Sequence, residues 1–212
     1  MITRRFWFAA ALFAAAAAHA QNYPQRAVRL VVPYVPGGGT DFTARVIAPK
    51  LSEALGQQVV VENRPGGGTN IGSDLVAKAA PDGYTLLMAG AANAINMSLY
   101  AKLPYDTLRD FAPGSLSVKG ANVLLVHPSL PAKNLKELLA LARAQPGKLN
   151  YASSGIGSAN HMAGELLKLV AKVNIAHVPY KGNAPALTDL IGGHVEILIS
   201  GVPAVIGQIK NG

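Results

Sequence analysis

The chain has 212 residues, half of them hydrophobic and only 14% charged, which excludes disorder and fits a buried α/β core. Its 19 basic and 11 acidic residues give a net charge of +8, but the basic residues fall singly (Arg45, Lys50, Lys78, Lys102, Lys119, Lys133, Lys168, Lys210) with few aromatics among them. Such scattering supplies solubility and a mild attraction for anions, with no nucleic-acid face, and the lack of cysteine excludes disulfides and thiol chemistry.

The first twenty residues, MITRRFWFAAALFAAAAAHA, read as a secretory signal. Arg4 and Arg5 precede an apolar stretch from Phe6 to Ala18, and Ala18-His19-Ala20 is an A-x-A cleavage site. The apolar stretch is short for a membrane span, so export with cleavage near Ala20 is expected. The Thr3-Arg4-Arg5 start leaves general secretion and twin-arginine export both open.

Strand and helix signals then alternate. Arg29 to Pro33 is an apolar, β-branched run. Phe42, Val46, Ile47, Leu51 and Leu55 recur at helical spacing and stop at Gly56. Val59 to Glu62 predicts a second strand, Ile71 to Ala80 a second helix, and Thr85 to Ala89 a third strand after the Pro81-Asp82-Gly83 turn. A less regular stretch follows, through Asn93 to Tyr100 and Asp106 to Phe111. The rhythm restarts at Asn122, with strands at Val123–Val126, Leu149–Ala152, Ile175–Val178 and Val195–Ser200. Helices are predicted between them at Leu135–Ala144, His161–Ala171 and Ala184–Ile191. This alternation implies two lobes, residues 21–120 and 121–212, each a mainly parallel sheet flanked by helices.

Three loops share one design: PGGGTD at 36–41, RPGGGTN at 64–70 and ASSGIGSAN at 152–160. Each follows a strand and opens a helix, where glycines admit a close ligand and the first helical N–H groups attract anions. None carries the lysine of a phosphate loop, and Phe42 and Asn160 stand where a dinucleotide fingerprint needs its third glycine. A carboxylate suits such donors better than a nucleotide, with Thr40, Ser154 and Ser158 adding hydroxyls. The second loop, beside Arg64-Pro65, reads as a structural connection.

Other candidates are weaker. His161 and Glu165 stand one helical turn apart but lack further metal ligands. His177 reads as a structural strand residue and Lys181 as solvent-facing. Ser153 and Ser154 lie outside any G-x-S-x-G elbow, and no carboxylate pair is spaced for acid–base work. Donors are present without catalytic apparatus, so neither an enzyme nor a cofactor is expected.

The ordered series YPQRAVRLVVPYVPGGGTDFTAR, VVVENRPGGGTNIGSDLVAKAAPDGYTLL, LPYDTLRDFAP, LNYASSGIGSANHMAGELL and HVPYKGNAPALTDLIGGHVE resembles extracytoplasmic solute-binding receptors of the tripartite tricarboxylate transporter family, the Bug family. The resemblance implies a two-lobed periplasmic binding protein of type II fold, monomeric, closing on a small organic acid and delivering it to membrane permease subunits. It places one carboxylate on Gly37, Gly38, Gly39, Thr40 and Asp41. The second lobe's share falls on Ser153, Ser154, Gly155, Gly157 and Ser158, with His161 behind them, and Ala91 and Asn93 line the floor. Ile199-Ser200-Gly201-Val202-Pro203 lacks the acidic residue that some relatives turn towards an amino group, which argues against an amino-acid ligand. Relatives continue beyond the position of Gly212, so the first lobe is expected to be incomplete here. A ligand-presenting sensor and a secreted α/β hydrolase are the rival readings.

Overall fold

The computed structural model describes residues 23–211; the expected signal segment lies outside them. The first lobe is built on three parallel strands, β1 (Val28–Val32), β2 (Val59–Asn63) and β3 (Thr85–Leu87), in the order β2-β1-β3. As the central strand, β1 is covered on both sides, which is why four of its five residues are buried and it reads as an apolar run. Helix α1 (Gly39–Leu55) lays Ala44 and Ala48 on Val28, Leu30, Val32 and Val59. It ends at Gly56, whose φ of 66° is the left-handed conformation glycine supplies without a Cβ clash. The Ser52 hydroxyl then accepts from the Val59 amide at 2.8 Å, tying the end of α1 to β2. Helix α2 (Asn70–Ala77) follows a single 3₁₀ turn at Gly67–Thr69, and α3 spans Ala91–Leu99.

The second lobe carries β4 (Asn122–Val126), β5 (Asn150–Ser153), β6 (Ala176–Pro179) and β7 (Ile197–Gly201) in the order β4-β7-β5-β6. Strands β7, β5 and β6 are parallel, and β4 joins β7 antiparallel. Strand β7 alternates its side chains between two cores. Ile197 and Ile199 meet Tyr151, Ile175 and, from α4 (Leu135–Ala144), Leu138 and Ala142. Leu198 faces Ala152, Val205 and, from α6 (Asn183–Ile191), Ala186 and Leu190. Helix α5 (Ala159–Ala171) leads into β6, and α7 (Ile206–Asn211) closes the described chain. The start of α4 is fixed by its N-cap: Asn134 Oδ1 accepts from the Glu137 amide, and Glu137 Oε2 accepts from the Lys133 amide just before the cap.

All seven predicted strands form. The stretch read as irregular contains helix α3. Its signal was weak because Asn93 and Asn96 are poor helix formers, and both are held by tertiary bonds instead. Asn93 accepts from the Gly90 amide and donates to Ser73 Oγ, while Asn96 donates to the Gly68 carbonyl and to Asn70.

Candidate functional site

Between the lobes lies a cavity of about 280 Å³. The first lobe contributes Pro33 and Tyr34 after β1, Gly66–Thr69 after β2, and Tyr100 after α3. The second contributes Ser154–Ile156 after β5 and Pro179–Lys181 after β6. Four of these five wall segments leave the carboxyl ends of parallel strands, the edge at which open α/β sheets bind ligands. A larger hollow of about 410 Å³ lies on the second lobe alone, beside β4. It is walled mainly by apolar side chains, among them Leu124, Val126, Leu135, Leu138 and Leu167, with Asn122, Lys133 and Asn134 as its polar members, and it has no glycine loop.

The first glycine loop sits at the seam of the lobes. A Cβ on Gly37 would stand 3.4 Å from Ala184 Cβ, one on Gly38 3.6 Å from the Asn183 nitrogen, and one on Gly39 3.7 Å from Ala204 Cβ. The adjoining Val35 amide donates to the Lys181 carbonyl at 3.3 Å, which joins β1's exit to β6's exit. The buried Asp41 carboxylate accepts from the Gly37 amide, Arg45 and Asn63, so it shapes the loop. Burial pushes the Asp41 pKa up, but those three hydrogen bonds prevail and hold it below the ordinary carboxylate value. Thr40 is half-buried at the first turn of α1, and Ala91 is exposed at the first turn of α3. Asn93 is buried, with both its bonds directed into the first lobe.

The second glycine loop, read from sequence as a connection, forms cavity wall. Four successive residues have positive φ: Gly66 at 124°, Gly67 at 58°, Gly68 at 62° and Thr69 at 81°. A β-branched residue rarely adopts that conformation, and Thr69 is buried as well, with a hydroxyl that has no hydrogen-bond partner. Gly68 is where the lobes touch: a Cβ there would meet the Ile156 carbonyl at 2.6 Å and the Tyr100 hydroxyl.

The third loop is anchored from beneath. Ser153 is fully buried, with Oγ 2.7 Å from His177 Nε2 and accepting from the Gly155 amide. Ser158 caps α5 by accepting from the His161 amide, and His161 Nδ1 accepts from the Gly157 amide at 3.3 Å. The His161 and His177 rings stack at 4.2 Å, and Tyr151 lies on the far face of the pair, 4.8 Å from His177. Desolvation lowers His161, and desolvation with the nearby His161 charge pulls His177 down to about 4. The Ser153–His177 contact has the composition of a nucleophile and base, but Ser153 has no exposed surface on which to meet a substrate.

The electrostatics favour an anion. Among the described residues no Asp or Glu lines the cavity, while Lys181 does and takes part in no ion pair. The Tyr34 phenol on the opposite wall is pushed by burial up to about 12, so it stays a neutral donor. Sequence reasoning set Lys181 aside. Its position directly after a parallel strand was the available signal.

Residues 43–212 match the profile described as "Tripartite tricarboxylate transporter family receptor". The chain belongs to this family. The sequence is 42% identical over 200 residues to BugT of Bordetella pertussis, covering 93% of this chain and 61% of BugT. It is 44% identical over 180 residues to a protein from the tcbD–tcbE intergenic region of Pseudomonas sp. strain P51, covering 85% of this chain and 54% of that one. Among solved structures it superposes on an R. palustris protein with adipate at a TM-score of 0.86 and 41% identity, covering 90% of this chain and 64% of the other. MatC of Rhodopseudomonas palustris with bound malate gives 0.81 and 34%, covering 89% and 65%. The periplasmic binding protein BugD gives 0.83 and 37%, covering 89% and 63%. The chain thus spans somewhat under two thirds of the length of these relatives.

Proposed function

We propose that the receptor captures a small organic carboxylate in the cavity between its lobes, in the periplasm, and hands it to the membrane permease of a tripartite transporter. One observation carries the reading: two glycine loops from different lobes, Gly66–Thr69 and Ser154–Ile156, wall one cavity with a lysine that, among the described residues, has no ion-pair partner and no acid beside it in the lining. Main-chain amides and Lys181 hold negative charge, and neutral Tyr34 supplies a further donor. The cavity volume suits a molecule of metabolite size, and the relatives solved with adipate and malate support a dicarboxylate. Gly37–Asp41 serve at the seam between the lobes, Ala91 and Asn93 stand in the first turn of α3, and His161 supports the third loop from below. The action is binding followed by lobe closure, with no chemical step.

A thermal-shift screen of mono-, di- and tricarboxylates, followed by calorimetry on the hits, tests this reading. Saturable stabilisation by dicarboxylates is the expected result. Indifference to every acid tested, in the presence of binding to a neutral or cationic solute, would overturn it.

A further inference from the structure

The loop that gives the cavity its second-lobe wall is pinned at both ends by a pair of stacked histidines. At its start, Ser153 Oγ bonds His177 Nε2 and receives the Gly155 amide. At its end, the Gly157 amide donates to His161 Nδ1. Between those anchors, Ser154, Gly155 and Ile156 face the cavity. The glycines at 155 and 157 have φ of 131° and 80° and carry no side chain, so these anchors, together with the Ser158 amide donating to the Gly155 carbonyl, hold the loop's shape.

We infer that His161 and His177 form a pH-sensitive clamp, positioning the Ser154–Gly157 loop for ligand only while His161 Nδ1 carries no proton; this rests on the reading that an organic acid occupies the cavity. A ring nitrogen that accepts an N–H has a free lone pair, so its proton is on Nε2. Adding a second proton at Nδ1 sets two donors against each other, and the Gly157 amide must turn away. The stacked geometry adds to the penalty, because a charge on either ring lies 4.2 Å from the other ring's centre.

The surroundings set the direction of the response. From β5, Tyr151 stacks on His177 and donates its hydroxyl to Glu165 at 2.7 Å. From α5, Glu165 favours an imidazolium, but it is already engaged by Tyr151 and by Lys168, whose ammonium opposes one. From β6 comes His177 itself. Burial is the largest influence on both rings and favours the neutral form. The clamp therefore holds at neutral pH and releases as the medium acidifies. His161 and His177 are positioning residues; the Ser154 and Ile156 amides, which these anchors do not engage, make the contact with the ligand.

The test uses calorimetry with adipate and with malate on the unmodified chain and on His161→Asn, between about pH 7.5 and 5. An asparagine amide oxygen stands in for Nδ1 as acceptor and does not titrate. Ligand protonation enters both curves alike, so the difference between them isolates the histidine. Affinity of the unmodified chain is expected to fall about tenfold further than that of His161→Asn, the effect of one pKa unit of linkage. Coincident curves overturn the clamp. If neither acid binds at any pH, the carboxylate reading fails instead, and a second measurement still decides whether the clamp exists. The Gly157 amide resonance of the unmodified chain is expected to move with the His161 ring titration, and a Gly157 signal unmoved from pH 8 to 4 overturns it.

Discussion

The Gly37 amide donates to Oδ2 of Asp41 at 2.9 Å, so a carboxylate in the first turn of α1 folds the preceding glycine loop back onto its own helix. Asn63 brings the end of β2 to the same carboxylate, and Arg45 covers it from the next helical turn. Asp41→Ala is expected to cost about 2 kcal/mol, the loss of hydrogen bonds to a charged group less what the half-exposed Arg45 recovers from water. Because the folded Asp41 pKa is depressed, its contribution is present above the unfolded value near ~3.9 and is lost as pH falls through the lower folded value. Urea melts should show the gap between the unmodified chain and Asp41→Asn narrowing below about pH 4. A gap that is the same at pH 7 and pH 3 would contradict the assignment.

Gly164 sits on α5 directly beneath the Tyr151 ring, where an added methyl runs into the ring edge. Tyr151 is fully buried and bonded to Glu165, so it cannot move aside without losing packing or that bond. Gly164→Ala should destabilise the fold by roughly 1–3 kcal/mol despite alanine's better helix propensity. Thermal melts decide: a raised Tm would show that the ring yields freely.

Gly68 touches the opposite lobe at the Ile156 carbonyl. Gly68→Ala therefore acts as a wedge, holding the lobes apart besides straining a φ of 62°. A larger radius of gyration in solution scattering and at least tenfold weaker adipate or malate binding are expected. Unchanged scattering and unchanged affinity would mean that the loops do not approach one another.

Lys181 is exposed at the cavity wall, so its attraction for an anion is screened by salt. Lys181→Gln is expected to weaken dicarboxylate binding roughly tenfold at low ionic strength, and less as salt rises. Identical titration curves for the two proteins at low salt would remove Lys181 from the site.

The strands were legible because β1 and β7 are mostly buried and read as largely apolar runs, interrupted at Arg29 and at Ser200. Helix α3 was hidden because Asn93 and Asn96 serve bonds to Ser73 and Gly68 that no local pattern encodes. The three glycine loops were visible as candidate anion-receiving turns, and sequence placed the second below the other two as a structural connection, although Gly66–Thr69 line the cavity. Their order along the wall depends on how the two sheets face each other, which brings Gly68 to Ile156, puts Gly37 and Gly38 against α6 and sets Gly39 against Ala204. Lys181 and the His161–His177 stack were invisible as partners for the same reason. Each is ordinary in its own segment and acquires meaning only across the sheet.

The most direct measurement is the change in backbone amide resonances as adipate or malate is added to the receptor chain. The account predicts saturable shifts at Gly66–Thr69 and at Ser154–Gly157 together, with one dissociation constant for both loops. Saturable binding whose shifts gather around the β4 hollow, or in one lobe alone, would contradict it.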